Sequence, residues 1–134
     1  MEIHRAADRP SVKAPAEYFT GDVWQDLIVE APAPATVVCL RLRFAPGGRT
    51  LWHTHPLGQT LHVVSGVGRV QKAGAPVREI RPGDTVWIAP GEKHWHGAAP
   101  GSFMEHIALQ EREGGVRIHW LEPVSDADYA AAPG

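Results

Sequence analysis

Turn-forming residues recur at short intervals along the whole chain, and they constrain the fold more than any other feature. Fourteen glycines and twelve prolines among 134 residues separate short runs rich in Val, Ile, Thr, Trp and Leu. Runs of this length and composition favour strands over helices. The sequence therefore predicts an all-β chain of about eight to ten short strands, in the closed-barrel or jelly-roll class, where few strand edges are exposed.

The clearest strand covers residues 36–44, where apolar residues alternate with polar ones. Val38, Leu40 and Leu42 share one face of this strand, and Cys39 lies on the other. Residues 59–66 and 67–74 are expected to pair as a hairpin around Ser65–Gly68. Other strands are predicted at 49–55, 102–112 and 115–122 and next to the Pro-Gly turns at 82–83 and 90–91, with a short helix at 125–132 capped by Ser125.

Length, charge and cysteine content narrow the function classes. The 134 residues predict one domain, 1–134. The net charge of −2, without a long basic run, gives no reason to expect a nucleic-acid or membrane partner. The single cysteine, Cys39, is interpreted as a small core residue, so the fold needs no oxidising compartment. Because the first residues contain no apolar signal core, a cytoplasmic location is predicted.

Two His-x-His pairs carry the chemical signal of the sequence. His53 and His55 precede a Pro-Leu-Gly turn, and His94 and His96 follow a Pro-Gly turn. On a strand, residues two apart point to the same side, so each pair presents two imidazoles to one face. Two such pairs are unusual for a random core, and paired imidazoles suit a transition-metal ion. The sequence therefore predicts a metal site.

The spacing of these pairs resembles the two sequence motifs of the cupin family. The first motif extends from Gly47 to Gly66, with Gln59 in place of the family's glutamate. The second begins at Gly83 and ends at Ala98, where the family has an asparagine, and Ala89 replaces a proline. The resemblance implies a cupin jelly-roll β-barrel with its motif core at 47–98. It also implies one divalent metal per subunit, with these ligands: His53, His55, Gln59 and His94.

Several longer segments resemble a narrower group, the bacterial cupin-type (R)-mandelonitrile lyases, also called hydroxynitrile lyases. They are PAEYFTGDV, WHTHPLGQTL, PGEKHWHGAAP and ALQE. The resemblance implies a lyase that cleaves or forms cyanohydrins, with Mn²⁺ as the expected metal and Fe²⁺, Zn²⁺, Ni²⁺ or Co²⁺ as alternatives. It also implies a homodimer or homotetramer. An uncharged Gln59 would leave the full charge of the metal on the site, which favours binding of an anion such as an alkoxide.

The strand at 102–112 is expected to form a wall of the substrate pocket. Its face with Met104, His106, Ala108 and Gln110 combines polar groups with a small residue. The resemblance places His106 and Gln110 inside, with Thr50 and His96 nearby. His106 is the predicted acid/base and His96 its alternative. The predicted apolar lining is formed by these residues: Val38, Leu40, Leu42 and Ala108.

Two other functions remain open from the residues alone. The same histidine-rich site with iron would suit a small dioxygenase, and a cupin without enzymatic activity would bind a small ligand such as a sugar or a signal. The five tryptophans are interpreted as core or subunit contacts rather than as residues that stack on a substrate.

Overall fold

The computed structural model describes residues 1–134 and contains two β-sheets. The larger sheet has the strand order β1-β3-β4-β12-β7-β10, and the second has the order β13-β6-β11-β5-β2 with β8 and β9 attached beside β11. The strands are β1 Val12–Lys13, β2 Phe19–Thr20, β3 Val23–Glu30, β4 Val37–Phe44, β5 Arg49–Thr50, β6 His53–Thr54, β7 Gln59–Gly66, β8 Gly68–Lys72, β9 Arg78–Ile80, β10 Thr85–Ile88, β11 His94–Ala98, β12 Met104–Glu111 and β13 His119–Trp120. A 3-10 turn covers Ala6–Asp8, and helix α1 covers Asp126–Ala130.

This architecture confirms the predicted all-β jelly roll with one short C-terminal helix. The main core lies between the sheets, where Leu42, Leu61 and Met104 of the larger sheet meet Phe19 and Ala98 of the second. The sheets do not join into one continuous ring, so the barrel is open along its edges. No helix is long and apolar enough to cross a membrane.

The predicted hairpin of residues 59–66 and 67–74 is wrong. β7 pairs with β12 and β10 in the larger sheet, whereas β8 pairs with β11 and β9 in the second. Gly66, at φ +75°, turns the chain between them, and the amide of Val67 donates to the carbonyl of Phe103 at 3.0 Å. The short connection therefore changes sheets instead of folding back on its own strand, a difference that turn residues alone do not reveal.

The predicted strand at 49–55 is divided into β5 and β6. Between them the amide of Leu51 donates to the carbonyl of Tyr18, and the amide of Trp52 donates to the carbonyl of Glu122. Because different neighbours take the hydrogen bonds on either side, the pairing is interrupted. The sequence also did not single out β3, Val23–Glu30. The predicted strand at 115–122 is reduced to His119–Trp120.

The C-terminal helix is held against the second sheet by a buried arginine. Ser125 caps the helix as predicted, accepting a hydrogen bond from the amide of Asp128 at 3.1 Å. Arg49, only 5% exposed, donates to Asp126 at 2.8 Å and lies 4.3 Å from the ring of Tyr129. These contacts attach the tail behind β5, away from the interior where the histidines lie.

Candidate metal centre and cavity

The two His-x-His pairs meet inside the molecule because β6 and β11 are neighbouring strands. His94 is directly opposite His53 in the antiparallel register, and their ring centroids are 4.2 Å apart. His55 follows the end of β6 and lies 5.1 Å from His53 and 5.5 Å from His94. The rings of all four paired histidines are buried, so the strand alternation that predicts a shared face is confirmed.

Backbone carbonyls fix the tautomer of three of these histidines. The Nδ1 atoms of His53, His55 and His94 lie 2.8, 2.6 and 2.9 Å from the carbonyl oxygens of Leu51, Arg117 and Glu92 respectively. A carbonyl only accepts, so each Nδ1 carries the proton and each Nε2 has a free lone pair. Histidines that bind metals are commonly oriented in this way.

Burial keeps the same rings neutral. It is the largest cause that lowers the pKa of His55 and of His94 to about 4 from the ordinary 6.5, and the pKa of His53 lies well below 6.5 for the same reason. At neutral pH all three therefore offer lone pairs rather than positive charges. This is the protonation state that a metal ion requires of its imidazole ligands.

Gln59 faces His94 in an orientation that a chain of hydrogen bonds determines. The side-chain amide of Gln110 donates to the carbonyl of Val38 at 3.2 Å, so Oε1 of Gln110 accepts from Nε2 of Gln59 at 3.1 Å. Oε1 of Gln59 is then directed at Nε2 of His94, 3.2 Å away. The lone pairs of Oε1 of Gln59 and Nε2 of His94 thus face each other with no proton between the two atoms. A cation bound by both atoms would satisfy this arrangement.

This arrangement also gives a reason for the amide at position 59. Gln59 donates to Gln110 and offers an oxygen toward His94 at the same time. A carboxylate has no proton to donate, so a glutamate there would place its oxygen against Oε1 of Gln110. The donor atoms present therefore fit a divalent transition metal with imidazole and amide ligands.

His96 and His106 form a second, connected pair. Nε2 of His106 lies 3.0 Å from Nδ1 of His96, and both rings are almost completely buried. Burial is the largest cause that lowers the pKa of His106 to about 4 and the pKa of His96 well below its ordinary value. Nε2 of His96 and Nδ1 of His106 have no hydrogen-bond partner. The backbone amide of His96 donates to the hydroxyl of Thr50 at 3.2 Å.

Two sets of ligands are compatible with this geometry. One ring nitrogen from each of His53, His94 and His96 lies within 4.8 Å of the others. The sequence motif instead predicts His55 and Gln59 beside His53 and His94. Nε2 of His55 and Nε2 of His96 are both buried and without a partner, while Nδ1 of each ring is engaged, by the carbonyl of Arg117 and by His106 respectively, so the geometry allows either set.

A cavity of about 230 Å³ opens onto this cluster. As predicted, Leu40, Leu42 and Ala108 line it, together with the polar residues Thr50 and Gln110. The full lining is Pro15, Tyr18, Phe19, Gln25, Leu40, Leu42, Thr50, His53, His55, Gln59, His96, Ala108, Gln110, Arg117, Ile118 and Trp120.

Two predicted positions differ from this lining. Val38 was expected in the apolar wall, but it is fully buried outside the cavity, and its carbonyl holds Gln110 instead. His106, the predicted acid/base, lies behind His96 rather than on the cavity surface. Alternation along a strand identifies the inward face, but it does not say how deep along that face the cavity extends.

The sequence also missed residues that other segments bring to the cavity. Trp120 stacks on Tyr18 with ring centroids 4.7 Å apart and lies 5.0 Å from His53. Trp120 also packs against the main core, so it is a core contact, as interpreted from the sequence, that lines the cavity as well. Gln25 and Arg117 reach the same wall from β3 and from the segment before β13. No periodic pattern marks these positions.

Residues 40–104 match the family model described as the cupin domain. The chain is 54% identical, over 96% of its length and 98% of the other protein, to an (R)-mandelonitrile lyase of Granulicella tundricola. This chain belongs to the cupin family. Among solved structures, a cupin-like protein of Thermotoga maritima is 35% identical with a TM-score of 0.86, covering 94% of this chain and 95% of that one. A polyketide cyclase of Streptomyces resistomycificus, 18% identical with a TM-score of 0.73 and coverage of 96% and 90%, shares the cupin fold alone.

The stability of the metal-free protein should depend on pH through these histidines. Folded His55, His94 and His106 have a pKa of about 4, against 6.5 in an unfolded chain. Between these values the unfolded chain binds more protons, so the free energy of unfolding falls as pH falls from about 6.5 to about 4. Thermal unfolding of chelator-treated protein should show this loss. A melting temperature that is constant over this range would contradict neutral buried histidines.

Proposed function

We propose that this protein is a metal-dependent hydroxynitrile lyase that cleaves mandelonitrile to benzaldehyde and hydrogen cyanide and catalyses the reverse addition. The observation that carries the proposal is the 54% identity, over nearly the full length of both chains, to a protein described as an (R)-mandelonitrile lyase. The site supports it independently, because neutral nitrogen and oxygen acceptors meet at the end of a partly apolar cavity. Manganese is the metal that we propose, held by His53, His55, Gln59 and His94.

The chain's own residues suit the proton transfers of this reaction. A divalent ion in the site would act as a Lewis acid toward the hydroxyl oxygen of the cyanohydrin and favour its deprotonation. The hydroxyl proton passes to Nε2 of His96, the bond between the carbinol carbon and the nitrile carbon breaks, the nitrile carbon leaves with the electron pair, and a proton returned from Nε2 completes hydrogen cyanide. We propose that His106 takes part in this transfer through His96, whose free Nε2 is buried at the cavity wall. As Nε2 of His96 accepts the hydroxyl proton, Nδ1 of His96 passes a proton to Nε2 of His106, which returns it when cyanide leaves.

The other polar residues of the cavity position these groups. Thr50 accepts from the amide of His96 and so holds that strand segment against the cavity. Gln110 fixes the orientation of Gln59 and lies on the lining beside Ala108. Leu40 and Leu42 form the apolar wall that we assign to the substituent of the aldehyde.

We also propose that the protein is a homodimer or homotetramer and that it is cytoplasmic. The outer face of the larger sheet exposes Trp87, Leu109 and Val64, and its ion pairs, such as Arg41 with Glu105 at 2.9 Å, are satisfied within one chain. A second copy of this face would therefore cover apolar surface without opposing like charges. A molar mass of one chain by light scattering would contradict the assembly.

The proposed cytoplasmic location agrees with the one cysteine, which is buried and unpaired and so suits a reducing compartment. Imaging of a tagged chain tests this location.

The test of the function is benzaldehyde release from racemic mandelonitrile under nitrogen. Chelator-treated protein is compared with the same protein after manganese is added back, and manganese without protein corrects for spontaneous cleavage. We expect release only with protein and manganese together, because the reaction needs the charge of the metal and no oxygen. Absence of release with manganese demonstrably bound would contradict the proposal. Oxygen uptake by the iron-loaded protein would then test the dioxygenase alternative.

A further inference from the structure

Arg117 is the one formally charged side chain on the lining of the cavity. The sixteen lining residues include no aspartate and no glutamate. The lining histidines with shifted pKa values, His53, His55 and His96, are neutral at pH 7. The protein groups around the cavity therefore carry a net positive charge before any metal binds, and a divalent metal would increase it. Once the metal is bound, such a cavity favours anionic over cationic organic ligands.

Arg117 is also free to receive a partner. Five other arginines form ion pairs: Arg41, Arg43, Arg49, Arg81 and Arg112. Arg117, which is half-buried, has no acidic side chain within 4.0 Å and none of its guanidinium nitrogens forms a hydrogen bond to the protein. None of its side-chain nitrogens is a buried atom without a partner, so the guanidinium is accessible, and a ligand that covers it must supply a counter-charge to offset its desolvation.

The backbone holds Arg117 at a fixed place beside the histidines. Its carbonyl oxygen accepts from Nδ1 of His55 at 2.6 Å. Gly114 and Gly115, both with positive φ, turn the chain just before this contact. Arg117 and His55 line the same cavity, so the residue that holds Nδ1 of His55 also borders the space a ligand would occupy.

The opposite side of the cavity does not neutralise this charge. Glu17 raises the pKa of the neighbouring Tyr18 hydroxyl, but it is outside the lining and does not pair with Arg117. Gln25, the one lining residue that β3 contributes, is uncharged. Because a guanidinium matches the two oxygens of a carboxylate in a planar, bidentate geometry, a carboxylate is the anion that this position fits well.

We propose that Arg117 binds a carboxylate on the substrate, so that the preferred substrates are aldehydes that carry a carboxylate on the substituent of the carbonyl carbon, and their cyanohydrins. The inference rests on the proposed function, which supplies the carbonyl chemistry. It adds that the preferred substrate is negatively charged. Mandelonitrile is then a substrate that uses the metal and the apolar wall and leaves Arg117 without a partner. Arg117 acts here in recognition and takes no part in breaking the carbon–carbon bond.

Calorimetry on the manganese-loaded full chain tests the proposal. The ligands are 4-formylbenzoate against 4-formylbenzamide, a rigid pair, and 4-oxobutanoate against its methyl ester, a flexible pair. The variants are Arg117→Gln and Arg117→Lys, with Arg81→Gln as the matched loss of one positive charge outside the cavity. We expect Arg117→Gln to weaken carboxylate binding about ten- to hundredfold in at least one pair, since hydrogen bonds to charged groups are strong. Binding of the neutral partners should change less than about twofold.

The controls separate recognition from a structural role. Arg117→Lys keeps the charge but loses the bidentate fork, so its affinity for the carboxylates should lie between those of wild type and Arg117→Gln. Arg81→Gln should bind every ligand as wild type does. Equal manganese content in all variants, measured by mass spectrometry, shows that the carbonyl contact to His55 and the fold are intact.

Two results would overturn the inference. One is a wild-type affinity for both carboxylates no higher than for their neutral partners. The other is equal weakening of charged and neutral ligands by Arg117→Gln. Neither depends on turnover, so failure of mandelonitrile cleavage with manganese bound would count against the proposed function only. A carboxylate preference that requires Arg117 would support the anion site in both cases.

Discussion

Replacing His94 by alanine is expected to leave the chain folded but without bound manganese, and to reduce mandelonitrile cleavage to the spontaneous rate. His94 belongs to both ligand sets that the geometry allows, and its Nε2 faces Oε1 of Gln59 across 3.2 Å. Loss of a partner behind a metal ligand commonly costs 10–100-fold in affinity or activity, so loss of the ligand itself should cost more than about a hundredfold. Manganese per chain by mass spectrometry and benzaldehyde release measure both effects.

His62→Ala is the matched control for this variant. His62 is an exposed histidine on the outer face of β7, where it lies 3.0 Å from the Thr85 hydroxyl. Its loss should change neither manganese content nor cleavage, because it is on the opposite face from the cavity. Circular dichroism of His94→Ala should match that of wild type, since β11 keeps its backbone pairing. Full manganese content in folded His94→Ala would contradict the metal centre.

The cluster of buried histidines was predictable because its information is local. Two residues spaced two apart on a strand share a face, and the pattern of glycines and prolines places each pair at the end of a strand. The sequence motif then indicates that the strands carrying the two pairs are neighbours. In the structure these are β6 and β11, with His94 directly opposite His53. Local alternation together with a known spacing was thus enough to predict that imidazoles of the two pairs converge.

The orientation of Gln59 could not be predicted, because it depends on a residue far away in sequence. The carbonyl of Val38 orients Gln110, 72 residues later, and Gln110 orients Gln59, 51 residues earlier. Each contact requires the register of β4, β12 and β7 to be known in the same sheet. The same limit applies to Arg117 and Trp120, which reach the cavity from a short segment with no repeating pattern.

Strand alternation was most misleading about which inward side chains reach the cavity. Val38, Leu40 and Leu42 share a face, as do His106, Ala108 and Gln110, and all were expected on the lining. Only Leu40, Leu42, Ala108 and Gln110 are there. Val38 and His106 lie at opposite ends of these two paired rows, across from Gln110 and Leu42, so the boundary of the cavity depends on the packing of other segments and not on strand position alone. This difference matters most for His106.

Replacing His106 by alanine is expected to preserve manganese binding and to reduce cleavage by about 10²–10⁴-fold, the usual contribution of an acid or base. His106 is fully buried behind the cavity wall, and Nε2 is 3.0 Å from Nδ1 of His96. It is not among the four ligands that we propose, so the manganese content should remain that of wild type. Benzaldehyde release and metal content measured on the same preparation test both statements. Full activity would show that His96 acts without it.

His106→Asn decides whether His106 moves the proton or only holds His96 in place. An asparagine side chain can hydrogen-bond to a neighbouring imidazole, but it cannot take up a proton near neutral pH. If the pair relays a proton, His106→Asn should be as inactive as His106→Ala. The buried Nδ1 of His96 would then have no other group with which to exchange a proton. Recovery of cleavage in His106→Asn would make His106 a positioning residue and leave His96, whose Nε2 is free at the cavity wall, as the acid/base of the reaction.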